Sequence, residues 1–134
     1  MQQKLLKSSQ LGEFAPAEYN GENESGYEPI GDRVLVLPDE AASKTSGGVE
    51  LTPEFVERMT MAAETGVIVA CGEDAFRWNF DRTRPWEAYK PRAGDRVYIQ
   101  RYSGQVMLGE DGRFYRLMDF SCVGALGLKH HADR

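Results

Sequence analysis

Apolar positions in this chain fall in short runs cut by Gly, Pro and Asp corners. The first run is Val34-Leu35-Val36-Leu37, led in by Pro29-Ile30-Gly31-Asp32-Arg33 and stopped by Pro38. Four consecutive apolar residues, β-branched in alternation, predict a strand covered on both faces. Pro38 lacks the N–H that would extend the ladder. A second run, Gly66-Val67-Ile68-Val69-Ala70-Cys71-Gly72, predicts a strand with Gly at both ends. A third starts at Ala93-Gly94-Asp95-Arg96-Val97-Tyr98-Ile99 and repeats the Gly-Asp-Arg-Val of 31–34. A Gly-Asp pair makes a tight entry turn, so the same corner is used twice. After the turn Tyr102-Ser103-Gly104, the runs 105–108 and 113–118 flank Gly109-Glu110-Asp111-Gly112. Asp-Gly in a short loop between apolar runs predicts a hairpin. The last run is Cys122-Val123-Gly124-Ala125-Leu126. About six short strands with no long helix predict an all-β fold, a small irregular antiparallel β-barrel. One helical segment is expected: Thr52-Pro53 caps and starts a turn that puts Phe55, Val56 and Met59 on one side.

Composition adds limits. The chain has 134 residues, enough for one domain with a modest core. Sixteen basic and 21 acidic residues give a net charge of -5, which argues against nucleic acid or an anionic membrane as the main partner. Cys71 and Cys122 lie far apart in apolar runs, as buried thiols do, and suggest no disulfide framework; a reducing cytoplasm is expected. Leu5-Leu6 between Lys4 and Lys7 makes neither a signal peptide nor a membrane span. Residues 1–26 are polar and aperiodic, so either a flexible tail or a short docking helix around 3–10 is expected there.

Two segments carry candidate chemistry. The stretch 40–53 opens with small polar residues, breaks at Gly47-Gly48 and then presents Val49-Glu50-Leu51. In an extended segment Val49 and Leu51 share a face and Glu50 points away. An apolar pair on such a support reads either as a binding loop or as a surface turn that tucks back. The second segment, 73–91, carries Phe76, Trp78, Phe80, Trp86 and Tyr89, interleaved with Arg77, Arg82, Arg84 and Lys90. Small β-barrels bind single-stranded nucleic acid by stacking bases on aromatics beside Arg and Lys. Glu73, Asp74, Asp81 and Glu87 nearly cancel the local charge, which favours packing of the aromatics within a hairpin or between subunits. No enzyme motif stands out: His130-His131 has no third ligand at metal spacing, and Gly47-Gly48 lacks the spacing of a phosphate loop. No metal site and no catalytic residue are expected.

In their order and spacing, these motifs resemble the GroES-type co-chaperonins, the ten-kilodalton lids of GroEL-type chaperonins. Pro29 to Val36 resembles the family's first strand, and Lys44-Thr45-Ser46-Gly47-Gly48-Val49-Glu50-Leu51 its mobile loop. The stretch 66–72 resembles the returning strand, and 94–104 a later strand and turn. The resemblance implies a flexible tail at 1–26, a barrel domain at 27–128 with a mobile loop at 40–65 and a roof at 73–91, and a polar tail at 129–134. It implies a ring of seven subunits in which the C-terminal strand (Cys122, Val123, Ala125, Leu126) meets the neighbour's N-terminal strand (Val34, Val36). It implies a GroEL-type chaperonin as partner, gripped by Gly47, Gly48, Val49, Glu50 and Leu51, and an unfolded substrate protein in the chamber. The lid would bind no cofactor, because ATP is bound and hydrolysed by the partner. Family members usually carry three apolar residues where Val49-Glu50-Leu51 stands, so Glu50 is a departure. The long excursion and the aromatic roof suggest a virus-encoded or otherwise divergent member, working in the cytoplasm (that of a host if virus-encoded), with a chamber enlarged for a bulky substrate.

Overall fold

A computed structural model describes residues 14–41 and 52–127. The six longer strands follow the apolar runs, and two short ones, at 14–15 and 40–41, do not. β1 is Phe14–Ala15, β2 Arg33–Pro38, β3 Glu40–Ala41, β4 Thr65–Cys71, β5 Arg96–Ile99, β6 Gln105–Leu108, β7 Phe114–Asp119 and β8 Val123–Leu126. One helix, α1, spans Pro53–Ala62. Six strands form one antiparallel sheet in the order β6-β7-β2-β4-β5-β8, and β1 pairs with β3 in a separate two-stranded sheet. β6 and β8 are the ends of the large sheet, so it is not closed among the described residues.

β2 is the centre. Val34 and Val36 face a core built with Ile68, Val97, Ile99, Met118 and Phe120. Leu35 and Leu37 face the opposite side, against Val69 and Tyr115. The unbroken apolar run therefore has the cause expected from it: both faces of the strand are covered. β2 pairs with β4 on one edge and β7 on the other, with a bulge between Leu35 and Val36. Gly66 has to be glycine, because a Cβ there would stand 2.7 Å from the Leu37 carbonyl oxygen. The hairpin at 109–112 closes through Gly109 N–H donating to the Arg113 carbonyl at 2.8 Å. Gly112 supplies the left-handed residue, with φ 86°.

α1 starts as the sequence predicts. Thr52 is its N-cap and accepts a bond from the Phe55 N–H at 3.1 Å, with Pro53 in the first turn. Phe55, Val56 and Met59 are half-buried while Glu54, Glu57 and Arg58 stay in water. The helix lies against β3, β6 and β7.

Several residues of the N-terminal stretch pack on the barrel. Ala17 and Tyr19 pack on the Leu35, Leu37, Val69 and Tyr115 cluster. Ser25 is fully buried and its carbonyl accepts from the Glu110 N–H at 2.8 Å. The Glu18 carbonyl accepts from Arg113 Nη1 at 2.7 Å. This stretch supplies the cover for the second face of β2. Backbone carbonyls do most of the holding, and these leave no mark in side-chain periodicity.

Candidate functional site: the loop root, the roof segment and the open edge

The excursion between β2 and β4 leaves and returns at adjacent points. Pro38 pairs with Gly66, and the Asp39 N–H donates to the Thr65 carbonyl at 3.0 Å. The expected anchors Gly47, Gly48, Val49, Glu50 and Leu51 lie outside the described residues. What the structure defines is the root that carries them. Asp39 is buried there and accepts four bonds. Arg96 reaches both its oxygens, Nη1 and Nη2 each at 2.8 Å. The Ala17 N–H donates at 2.9 Å and the Thr65 hydroxyl makes a further short bond. Burial by itself would raise the Asp39 pKa, but the bonds from Arg96, Thr65 and Ala17 outweigh it and hold the carboxyl below its usual range. The same contact with Asp39 raises Arg96.

The returning end is held by Arg116, which is fully buried. Its Nη1 donates to the Ala63 carbonyl at 2.8 Å, just past α1. Its Nη2 donates to the carbonyls of Gln100 at 2.7 Å and Ser103 at 2.9 Å. Burial lowers its pKa, yet a guanidinium keeps its proton in proteins, and the ring of carbonyls satisfies it. Two further backbone bonds, Ile99 N–H to the Glu64 carbonyl and Tyr102 N–H to the Met61 carbonyl, join the same end to the sheet. Asp39, Arg96 and Arg116 were not singled out by the sequence. Only the Asp after Pro38 and the repeated Arg of the Gly-Asp-Arg-Val corner gave a signal, and neither gave a partner.

The aromatic segment divides into an inner and an outer set. Phe76 is buried, with its ring centroid 5.2 Å from Trp86 and 5.4 Å from Phe120, both edge-on. Phe80 touches Trp86 and Phe120 at 5.4 and 5.9 Å, while Trp78 and Phe80 remain exposed. The Tyr89 hydroxyl donates to buried Asp95 at 3.0 Å. A bridge between Trp78 and Pro85 closes the segment on itself. Arg82, in a left-handed conformation with φ 61°, pairs with both Asp32 and Asp119 and lies over the Phe120 ring. Phe120, which the sequence reading passed over, is the residue on which the segment is built. This arrangement is unlike a base-stacking platform: Phe76 and Trp86 are packed inward, and Arg77 and Arg82 are paired with carboxylates. The two Gly-Asp corners also part company here, since Asp32 holds Arg82 whereas Asp95 holds Tyr89 and the Arg92 N–H.

Of the residues expected at the subunit contact, Val34 and Val36 are wholly buried in the chain's own core, on a strand paired on both edges. Cys122, Val123, Ala125 and Leu126 lie on or beside the end strand β8, which pairs only with β5 among the described residues. Val123 points into the core, and Ala125 is exposed. The exposed apolar side chains nearest the start of β2 are Tyr27 and Ile30, at 47% and 77% exposure. Both cysteines are free and half-buried; burial, the largest cause, pushes the Cys71 thiol up to about 11, so it stays protonated and unreactive at neutral pH.

Comparison with known proteins agrees with this fold. The family model described as "Chaperonin 10 Kd subunit" matches residues 26–126. The chain is 36% identical over 76 residues to the co-chaperonin GroES of Treponema denticola, covering 57% of this chain and 69% of that protein. It is 39% identical over 77 residues to the co-chaperonin GroES of Lactobacillus acidophilus, covering 58% of this chain and 73% of that one. The co-chaperonin GroES of Ruegeria pomeroyi is 36% identical over 76 residues, 57% of this chain and 72% of its own. The chain belongs to the family of the chaperonin 10 Kd subunit, the co-chaperonins.

Proposed function

We propose that this co-chaperonin caps a GroEL-type chaperonin in its nucleotide-bound state and encloses a folding substrate protein. The observation that carries the reading is the loop root. The family match runs through it, and an excursion bearing Val49 and Leu51 leaves and returns between adjacent central strands, with a buried ionic group at either end. Burying Val49 and Leu51 contributes roughly 1.5–3 kcal/mol each. Ordering the segment costs about 1–2 kcal/mol per residue, so one loop binds weakly. Several loops on one ring make the capture strong and still reversible through effective concentration. We assign a ring of seven, in which the open edge of β8 receives the stretch around Tyr27 and Ile30 of the next subunit. The exposed Ile30 and the outer edge of β8, unpaired among the described residues, support this assignment. In this role the chain does no covalent chemistry and binds no cofactor of its own, ATP being handled by the partner in the cytoplasm where both work.

The test is to mix the protein with a GroEL-type chaperonin and ATP and to look for a capped complex by sedimentation. Capture is expected for the natural chain. It is expected to be lost in Leu51→Asp, with the mass of the free ring unchanged. Capture of Leu51→Asp at the natural affinity would remove the anchor assignment.

A further inference from the structure

The N-terminal segment touches the loop root, and nothing in the capping role assigns it a task. β1 and β3 form a two-stranded sheet in which Phe14 pairs with Ala41 and Ala15 with Glu40. β3 is the first part of the excursion, so the segment before the barrel is laid beside the loop where the loop leaves the barrel. Two residues further on, the Ala17 N–H donates to Asp39 Oδ1 at 2.9 Å. The segment then crosses the sheet: Tyr19 packs on the Leu35 and Tyr115 cluster, the Glu18 carbonyl receives Arg113, and the buried Ser25 carbonyl receives the Glu110 N–H. It is tied at both ends and in the middle.

We infer that residues 14–28 form a strap that holds the root of the binding loop, with Asp39 as the positioning residue and the Ala17 N–H as the strap's latch on it. A two-residue antiparallel pair has little stability alone. A backbone N–H donating to a buried carboxylate is a stronger, charge-assisted bond. The latch therefore holds the β1–β3 pair, and the pair fixes the direction in which the chain leaves β2. Asp39 joins three parts through one carboxylate: Arg96 of β5, Thr65 at the returning end and Ala17 of the strap. A loop held at its root loses less conformational entropy on binding than one that pivots freely. The strap thereby raises the affinity of each loop for the chaperonin without touching it. The functional half of this inference rests on the capping role.

The decisive variant is Ala17→Pro in the full chain. Proline removes the N–H, and the position already follows Pro16. Ala17→Gly keeps the N–H and is the control for altered side-chain packing at this position. Hydrogen exchange of the peptide containing Glu40 and Ala41 should speed up about tenfold in Ala17→Pro, the size expected for one lost bond to a carboxylate, and stay near the natural rate in Ala17→Gly. Capture by a GroEL-type chaperonin with ATP should weaken in Ala17→Pro alone, with the ring mass unchanged. Unchanged exchange in Ala17→Pro, or equal effects in both variants, would overturn the strap. Faster exchange with undiminished capture would overturn its effect on binding. If the natural chain is not captured at all while the exchange follows expectation, the capping role falls and the strap stands as a structural latch.

Discussion

At the scale of single residues, the loop root depends on charges that hydrophobic patterning does not reveal. Asp39 carries a pKa held below its unfolded value by Arg96, Thr65 and Ala17, against the opposing effect of burial. A carboxyl with a lowered folded pKa binds more protons when unfolded, so its contribution to stability is complete above the usual carboxylate range near 3.9 and is lost as pH falls through the folded value. The urea midpoint of the natural chain should therefore drop on acidification from neutral pH through that range. Asp39→Asn should destabilise the chain by up to about 3 kcal/mol at neutral pH, because it leaves the half-buried Arg96 without its charge partner. The variant should also show a flatter acid limb in urea titrations across pH; an unchanged acid limb would move the dependence to another carboxyl. Asp119, also lowered, is the alternative source: burial opposes its shift, and bonds from Ser121 together with Arg82 produce it.

Among the elements, α1 is the one whose ends were most legible. Thr52-Pro53 marks its start, and the spacing of Phe55, Val56 and Met59 marks the side that meets the sheet. Thr52→Ala removes the N-cap and should destabilise the helix by about 1 kcal/mol. The first turn should then exchange its amides faster while the melting temperature of the sheet moves little; equal protection in the variant would show that packing, not the cap, fixes the helix start. The N-terminal strap was illegible for a physical reason. Its cover is made by Ala17, Tyr19 and backbone carbonyls, and its partners Glu110 and Arg113 lie far along the chain. The roof segment was legible as an aromatic cluster but not as a division into inward and outward rings. That division depends on Phe120, which follows β7 in a short 3-10 turn capped by Asp119.

For the whole molecule, the proposed ring would join subunits at an end strand of the large sheet, which is open among the described residues. β2 is enclosed by β4 and β7, which leaves β6 and β8 as the end strands. Ile30 is 77% exposed, so Ile30→Lys should leave the fold of one subunit intact. It should nevertheless lower the sedimenting mass from that of a ring to that of a single chain; a full-mass ring would place the subunit contact elsewhere. This variant is cleaner than removing the C-terminal strand. Val123 belongs to the core with Val34, Ile68 and Phe120, and truncation there would unfold the subunit along with the ring.

The strands of the large sheet, the two Gly-Asp corners, the 109–112 hairpin, the capped helix and the family were legible in the chain alone. Each of these is written within a few consecutive residues, as alternation, a missing N–H at Pro or a glycine at a turn. What lies between those elements depends on how the chain folds back on itself. Ala17 meets Asp39 across 22 residues, Asp39 meets Arg96 across 57, and Arg116 meets Ala63 across 53. A polar group finds such a partner only once the sheet has formed and water has been excluded around it, and no local period records that choice. Burial of Val34 and Val36 was decided in the same way: the residues declared a strand, but the neighbours on both its edges made it the centre of the sheet rather than its border.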